Sequence, residues 1–149
     1  MCVFAQTTVD VVVDISGHVP SATTFTPLPQ PARLMDTRLG EPTVDGQAAG
    51  IGKIVGGSVR ELVVAGRGGV PANAASAVLN VTAVGATGPG FLTVYPCGAP
   101  RPTASNLNVV AGRITPNAVF TRIGANGTVC VFAQTTVDVV VDISGSFLA

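Results

Sequence analysis

Tryptophan is absent from the 149 residues, and tyrosine and histidine occur once each, as Tyr95 and His18. That removes most of the side chains that grip sugar rings or run acid–base chemistry. Only 11% of the residues are charged, Lys53 is the single lysine, and eight basic side chains balance eight acidic ones. With zero net charge and no block of like sign, a phosphate-binding surface has no source, so nucleic acid is not an expected partner. No apolar run reaches the length of about 18 residues that a membrane span needs, and nothing reads as a signal peptide. The three cysteines, Cys2, Cys97 and Cys130, form no C-x-x-C pair, which argues against a metal knuckle or a redox motif. No cofactor and no metal site is expected. What the chain has in quantity is glycine and proline, 18 and 11 residues, alongside 47% hydrophobic residues. Both are helix breakers, so an all-helical fold is excluded, while the length suits one domain with a real core.

Residues 2–17 read CVFAQTTVDVVVDISG, and residues 130–145 repeat that string without a difference over 16 positions. A domain-sized offset of 128 residues reads as a tandem array cut in an unusual frame. On this reading residues 1–17 are the terminal strand segment of a preceding repeat, residues 18–31 are a Pro/Ser/Thr-rich linker, and residues 32–149 form one repeat. Cys2 is then the unpartnered twin of Cys130. Two identical segments compete for one place in one domain body, and the spare one would be sticky unless it paired. Its apolar face, Val3, Val9, Val11, Val13 and Ile15, is repeated as Val137, Val139, Val141 and Ile143, and is read as an assembly strand that docks on a neighbouring chain.

Strands are expected at 32–38, 58–65, 77–84, 91–96, 105–112 and 117–124, from period-two alternation between Gly/Pro punctuation. Residues 39–57 read as a long loop. Gly85–Gly90 and the Asn126-Gly127 turn read as hairpin connections. From Val129 to Ile143 the odd positions are almost all apolar, yet one strand of that length would span about 50 Å, so a corner is expected near Thr135 and Thr136. About eight strands and no helical period indicate an all-β, antiparallel two-sheet sandwich resembling a jelly roll.

Asp138 and Asp142, four apart on one strand face, would stand about 13 Å apart, beyond the reach of glycosidase carboxylates, so they read as a solvated face. Asp36 and Arg38 read as a structural ion pair, and Glu61 as a partner for one of the nearby arginines. The run Gly66–Val70 lacks the ending of a phosphate loop and reads as a turn. Asn80, Asn106, Asn108 and Asn117 suit backbone hydrogen bonding better than a sugar groove. His18 has no nucleophile signature near it, so catalysis has no visible base and the chain is not expected to be an enzyme. Cys97 follows one strand and Cys130 opens another, a placement that suits a disulfide between sheet edges, with two free buried thiols as the alternative.

The runs PARLMDTR, VRELVVAGRGGVPANAASAVLNVTAV, GFLTVYPCGAPRPTASNLN and NGTVCVFAQTTVDVVVDISG resemble a tandem-repeat domain of secreted surface proteins from actinobacteria and related bacteria, over nearly all of residues 25–145. The resemblance implies an accessory module and a disulfide between Cys97 and Cys130. Such repeats usually end V-D-V-x-G-Y-F, whereas here SFLA follows Gly145 and the closing aromatic is displaced to Phe147. The expected function is a non-catalytic structural repeat of an extracellular appendage, stalk or filament, partnered with itself through the duplicated strand. The alternative is a carbohydrate-binding, adhesive module recognising a surface glycan, which the shortage of aromatics disfavours.

Overall fold

The computed structural model describes Phe4, residues 6–8 and residues 25–148. The expected assembly residues Val3, Val9, Val11, Val13 and Ile15, and Cys2, lie outside the described residues.

Eight strands follow in order: β1 Phe25–Asp36, β2 Ser58–Val63, β3 Ala74–Val84, β4 Gly90–Pro96, β5 Leu107–Val109, β6 Ile114–Arg122, β7 Thr128–Ala133 and β8 Asp138–Leu148. They form two antiparallel sheets of four, ordered β1-β8-β3-β6 and β2-β7-β4-β5. Strands β1 and β8, β2 and β7, β3 and β6, and β4 and β5 are each paired antiparallel. A long two-stranded ribbon whose arms alternate between two sheets is the jelly-roll winding, as expected. Alternation places the core: Ala77, Leu79, Val81 and Ala83 of β3 face Val129, Val131 and Ala133 of β7 across the sandwich, all nearly sealed from solvent. Among the described residues the one helical element is a single 3-10 turn, Ala125–Gly127, and no helix is long and apolar enough to cross a membrane.

One feature departs from expectation at the N-terminal side. Strand β1 begins at Phe25, so residues 25–31 of the expected linker are strand and the domain body starts earlier than residue 32. Its prolines, Pro27, Pro29 and Pro31, are tolerated because β1 is an edge, with a register break between Pro27 and Ala32. Pro116 likewise sits inside β6, the opposite edge of the same sheet.

Neither expected hairpin forms. Gly85–Gly90 leads from β3 in one sheet to β4 in the other, and the Asn126-Gly127 turn leads from β6 to β7, again between sheets. The positive φ of 60° at Asn126 and 72° at Gly127 serves a sharp turn, whichever strands it joins. The corner at Thr135 and Thr136 is real. There the chain leaves β7 and enters β8 in the other sheet, clamped by Gly56 N–H donating to Thr136 Oγ1 at 2.9 Å and by paired backbone bonds between Ile54 and Val137 at 2.9 and 3.1 Å.

Candidate functional site

The arm formed by β7 and β8 is central in both sheets: β7 lies between β2 and β4, and β8 between β1 and β3. Every backbone edge of this arm is therefore paired on both sides over most of its length. Its inward side chains, Val131, Val137, Val139, Val141 and Ile143, are all 0% exposed, because alternation aims odd positions at the core in both strands. At about 1.5–3 kcal/mol for a fully buried side chain of this size, this arm carries a large share of the apolar stabilisation. The place that residues 130–145 require is thus a slot between four other strands, and in this chain residues 130–145 fill it themselves.

The arm is also tied covalently. Cys130 of β7 is bonded to Cys97, just past the end of β4, with Cα atoms 5.1 Å apart. Tyr95 is the register partner of Cys130. The loop after β4 can approach because position 124 is glycine: a Cβ there would overlap the Cys97 backbone. The crosslink closes a loop of 33 residues and so contributes about 3–4 kcal/mol by restricting the unfolded chain. On the outer face of β7, Phe132 packs against Phe91 with ring centroids 5.8 Å apart, and the Arg101 guanidinium lies 3.8 Å from its ring centre. Phe4, its counterpart in the N-terminal copy, is 91% exposed.

The outer face of the other sheet carries a network of opposite charges. Asp36, at the end of β1 and 0% exposed, accepts from Arg38 Nε at 2.9 Å and Nη2 at 2.7 Å, from the Arg38 backbone N–H at 3.2 Å, and from Arg33 Nη1 at 3.1 Å. Burial pushes this carboxyl up, and the hydrogen bonds and charge of Arg38, with the charge of Arg33, outweigh it, leaving Asp36 below its ordinary value. The expected pair of Asp36 and Arg38 is present, widened by Arg33. Asp138 and Asp142 are not merely solvated. Asp142 accepts from Arg33 Nε at 2.9 Å, and Asp138 meets Lys53 Nζ at 2.9 Å and the Thr37 hydroxyl at 2.8 Å. Sequence alternation placed both aspartates on one face but held no sign of the cations that β1 and the 37–57 loop deliver there.

Arg67 was the residue that sequence reading missed. In the turn Gly66–Val70 it is 6% exposed, pairs with Asp45 at 2.7 Å, and donates to the carbonyls of Leu34, Val63 and Gln47 at 2.9, 2.8 and 3.2 Å. The hydrogen bond from Arg67 holds Asp45 well below the usual carboxylate range, at about 2. Glycine-rich context points to a turn and says nothing of a buried guanidinium inside it. Glu61 is exposed on β2 and, among the described residues, has no ion pair.

The asparagines divide. Asn106 Oδ1 accepts from the Val94 backbone N–H at 2.7 Å, Asn117 donates to the Asn106 carbonyl at 2.5 Å, and Asn80 donates to Thr82 Oγ1 at 3.3 Å. A groove of about 600 Å³ runs beside β1, lined by Leu28, Pro29, Pro31, Pro42, Val44 and Gly68 among others, with no aromatic ring in its wall. Among the described residues no three His, Cys, Asp or Glu side chains gather in a way that would hold a metal ion. Compared with known proteins, the chain matches no family model and no curated protein.

Proposed function

We propose that this chain is a non-catalytic structural repeat of an extracellular bacterial surface protein, part of an appendage, stalk or filament, which assembles by strand complementation between subunits or repeats. The observation that carries the reading is the double presence of one strand pair: residues 130–145 form the central arm of both sheets, and residues 2–17 have the same sequence. An arm that buries five branched aliphatic side chains and is hydrogen-bonded on both sides is the costliest part of the fold to omit. A domain or subunit whose own arm is withdrawn would take the identical copy from a neighbour, with main-chain bonds supplying affinity and the Val/Ile face supplying register. The disulfide between Cys97 and Cys130 fits an oxidising compartment, and the resemblance to actinobacterial surface repeats agrees with an accessory role.

Light scattering on the full chain and on a chain beginning at His18 tests this. Assembly of the full chain, lost in the shorter one, is the expected result. Monomers of equal stability from both would remove the complementation reading.

A further inference from the structure

The slot for residues 130–145 is specified by contacts that can be read one by one, and residues 2–17 reproduce every side chain that makes them. Val3, Val9, Val11, Val13 and Ile15 correspond to the fully buried Val131, Val137, Val139, Val141 and Ile143. Asp14 corresponds to Asp142, the partner of Arg33, and Asp10 to Asp138, the partner of Lys53 and Thr37. Thr8 corresponds to Thr136, which accepts from the Gly56 N–H at the corner. Even the obligatory glycine is kept: a Cβ at Gly145 would stand 2.7 Å from the Phe25 ring, and its counterpart is Gly17.

The connectivity also permits the copy to enter its own domain. Gly145 is the register partner of Pro27 on the antiparallel neighbour β1. With Gly17 in the place of Gly145, residues 18–26 need only turn back to reach Pro27, a hairpin connection well within the chain's reach. Residues 130–145 arrive in the same slot from more than a hundred positions away, so the N-terminal copy makes its contacts with β1 at far lower loop-closure cost.

We propose that the slot between β1 and β3 and between β2 and β4 binds residues 2–17 of the same chain in place of residues 130–145, and that Cys2 then takes over Cys97 from Cys130. This goes beyond assembly between copies and does not depend on it. The covalent step is thiol–disulfide exchange: the Cys2 thiolate attacks Sγ of Cys97, the Cys2–Cys97 bond forms as the Cys97–Cys130 bond breaks, and Cys130 leaves as a thiolate. No oxidant is consumed. The exchange runs in either direction: when residues 130–145 regain the slot, the Cys130 thiolate attacks Sγ of Cys97, the Cys97–Cys130 bond re-forms and Cys2 leaves as a thiolate.

The structure contains the reason for the displacement. The match ends at Gly145, and the residues just outside it favour the C-terminal copy. Ser146 is 0% exposed where the N-terminal copy would bring the bulkier His18, Phe147 packs against Phe25 with tilted rings and centroids 4.9 Å apart, and Val129 is 0% exposed where the copy offers Met1.

The test disables one copy at a time in the full chain. Val141→Asp puts a charge at a sealed core position of the C-terminal copy, while Val13→Asp alters only the N-terminal one. After oxidation, the tryptic peptides 1–33 and 123–149 report by mass which cysteine is joined to Cys97. The expected V141D protein is a folded monomer in which the ratio of Cys2–Cys97 to Cys97–Cys130 has risen by at least about a hundredfold, as one of two competing strands is disabled. V13D alone should keep the Cys97–Cys130 bridge, and V13D/V141D should be unfolded. The proposal fails if V141D is as unfolded as the double variant, or is folded with Cys97 still joined to Cys130. It also fails if the Cys2–Cys97 bond links two chains, an outcome that would instead support complementation between copies.

Discussion

The Arg67 guanidinium reaches across the mouth of the sandwich to Asp45, with Nη2 at 2.7 Å and Nε at 2.8 Å from its two carboxylate oxygens. The same guanidinium caps the carbonyl of Leu34, a core residue of β1, so one side chain fastens the long 37–57 loop to both the edge strand and the turn after β2. Removing the buried guanidinium leaves a partly exposed carboxylate and three carbonyls without their donors.

Arg67→Ala should therefore destabilise the domain by about 2–3 kcal/mol, mostly through the carbonyls left without a donor. Arg67→Lys should recover only part of this, since an ammonium cannot reproduce the two-nitrogen contact with Asp45 while also reaching three carbonyls. Urea midpoints at constant m value measure both.

Asp45 gives the domain an acid limit. Its carboxyl titrates near about 2 in the folded chain against 3.8 when unperturbed, so the unfolded chain binds the proton first as pH falls. The contribution is fully present above the unperturbed value, declines as pH falls below it, and is gone below the folded one. Because Asp45 is partly solvent-screened, the loss should be about 1 kcal/mol between pH 4 and 2. Thermal melts of the protein and of Asp45→Asn across that range should converge at the acid end.

The two acidic partners of Arg33 should differ in cost. Asp36 has a side chain 0% exposed and holds two arginines, whereas the Asp142 side chain is 22% exposed and holds one. Asp36→Asn should cost about 2–4 kcal/mol, and Asp142→Asn no more than about 1 kcal/mol. Chemical denaturation of both variants checks the order, which would be reversed if the exposed face dominated.

Gly145→Ala should cost about 1–3 kcal/mol, because the added methyl must displace the Phe25 ring from Phe147. Paired with Phe25→Ala, the same substitution should cost less but still be felt, because the Thr26 carbonyl oxygen also stands 2.9 Å from that Cβ, and a double-mutant cycle reads the difference as coupling. Gly17→Ala is the matched control and should leave the stability of the domain unchanged while residues 130–145 occupy the slot.

Much of this protein is legible one strand at a time. The alternation in SAVLNVTAV and VDVVVDIS specifies strands with one face in the core, the threonine pair at 135 and 136 marks the corner, and the exact duplication of residues 130–145 singles out the arm that proves central to both sheets. The positions of Cys97 and Cys130 suit a bond between sheet edges and leave two free thiols as the alternative, which the structure decides in favour of the bond. These features are local, since side-chain direction in a strand has period two wherever the strand lies.

Tertiary structure decided what local pattern cannot carry. An Asn-Gly pair supplies a sharp turn with positive φ, but whether its flanking strands pair depends on partners far away in sequence, and here β6 goes to β3 while β7 goes to β2 and β4. Residues 25–31 look like a linker because prolines cannot serve a central strand, and they are strand because β1 is an edge. Arg67 is buried and Asp142 is paired because loops and neighbouring strands bring opposite charge to them. Backbone hydrogen bonding is indifferent to residue type, so the sequence by itself determined which segments are strands and which faces are apolar, and only packing in three dimensions determined which strand lies beside which.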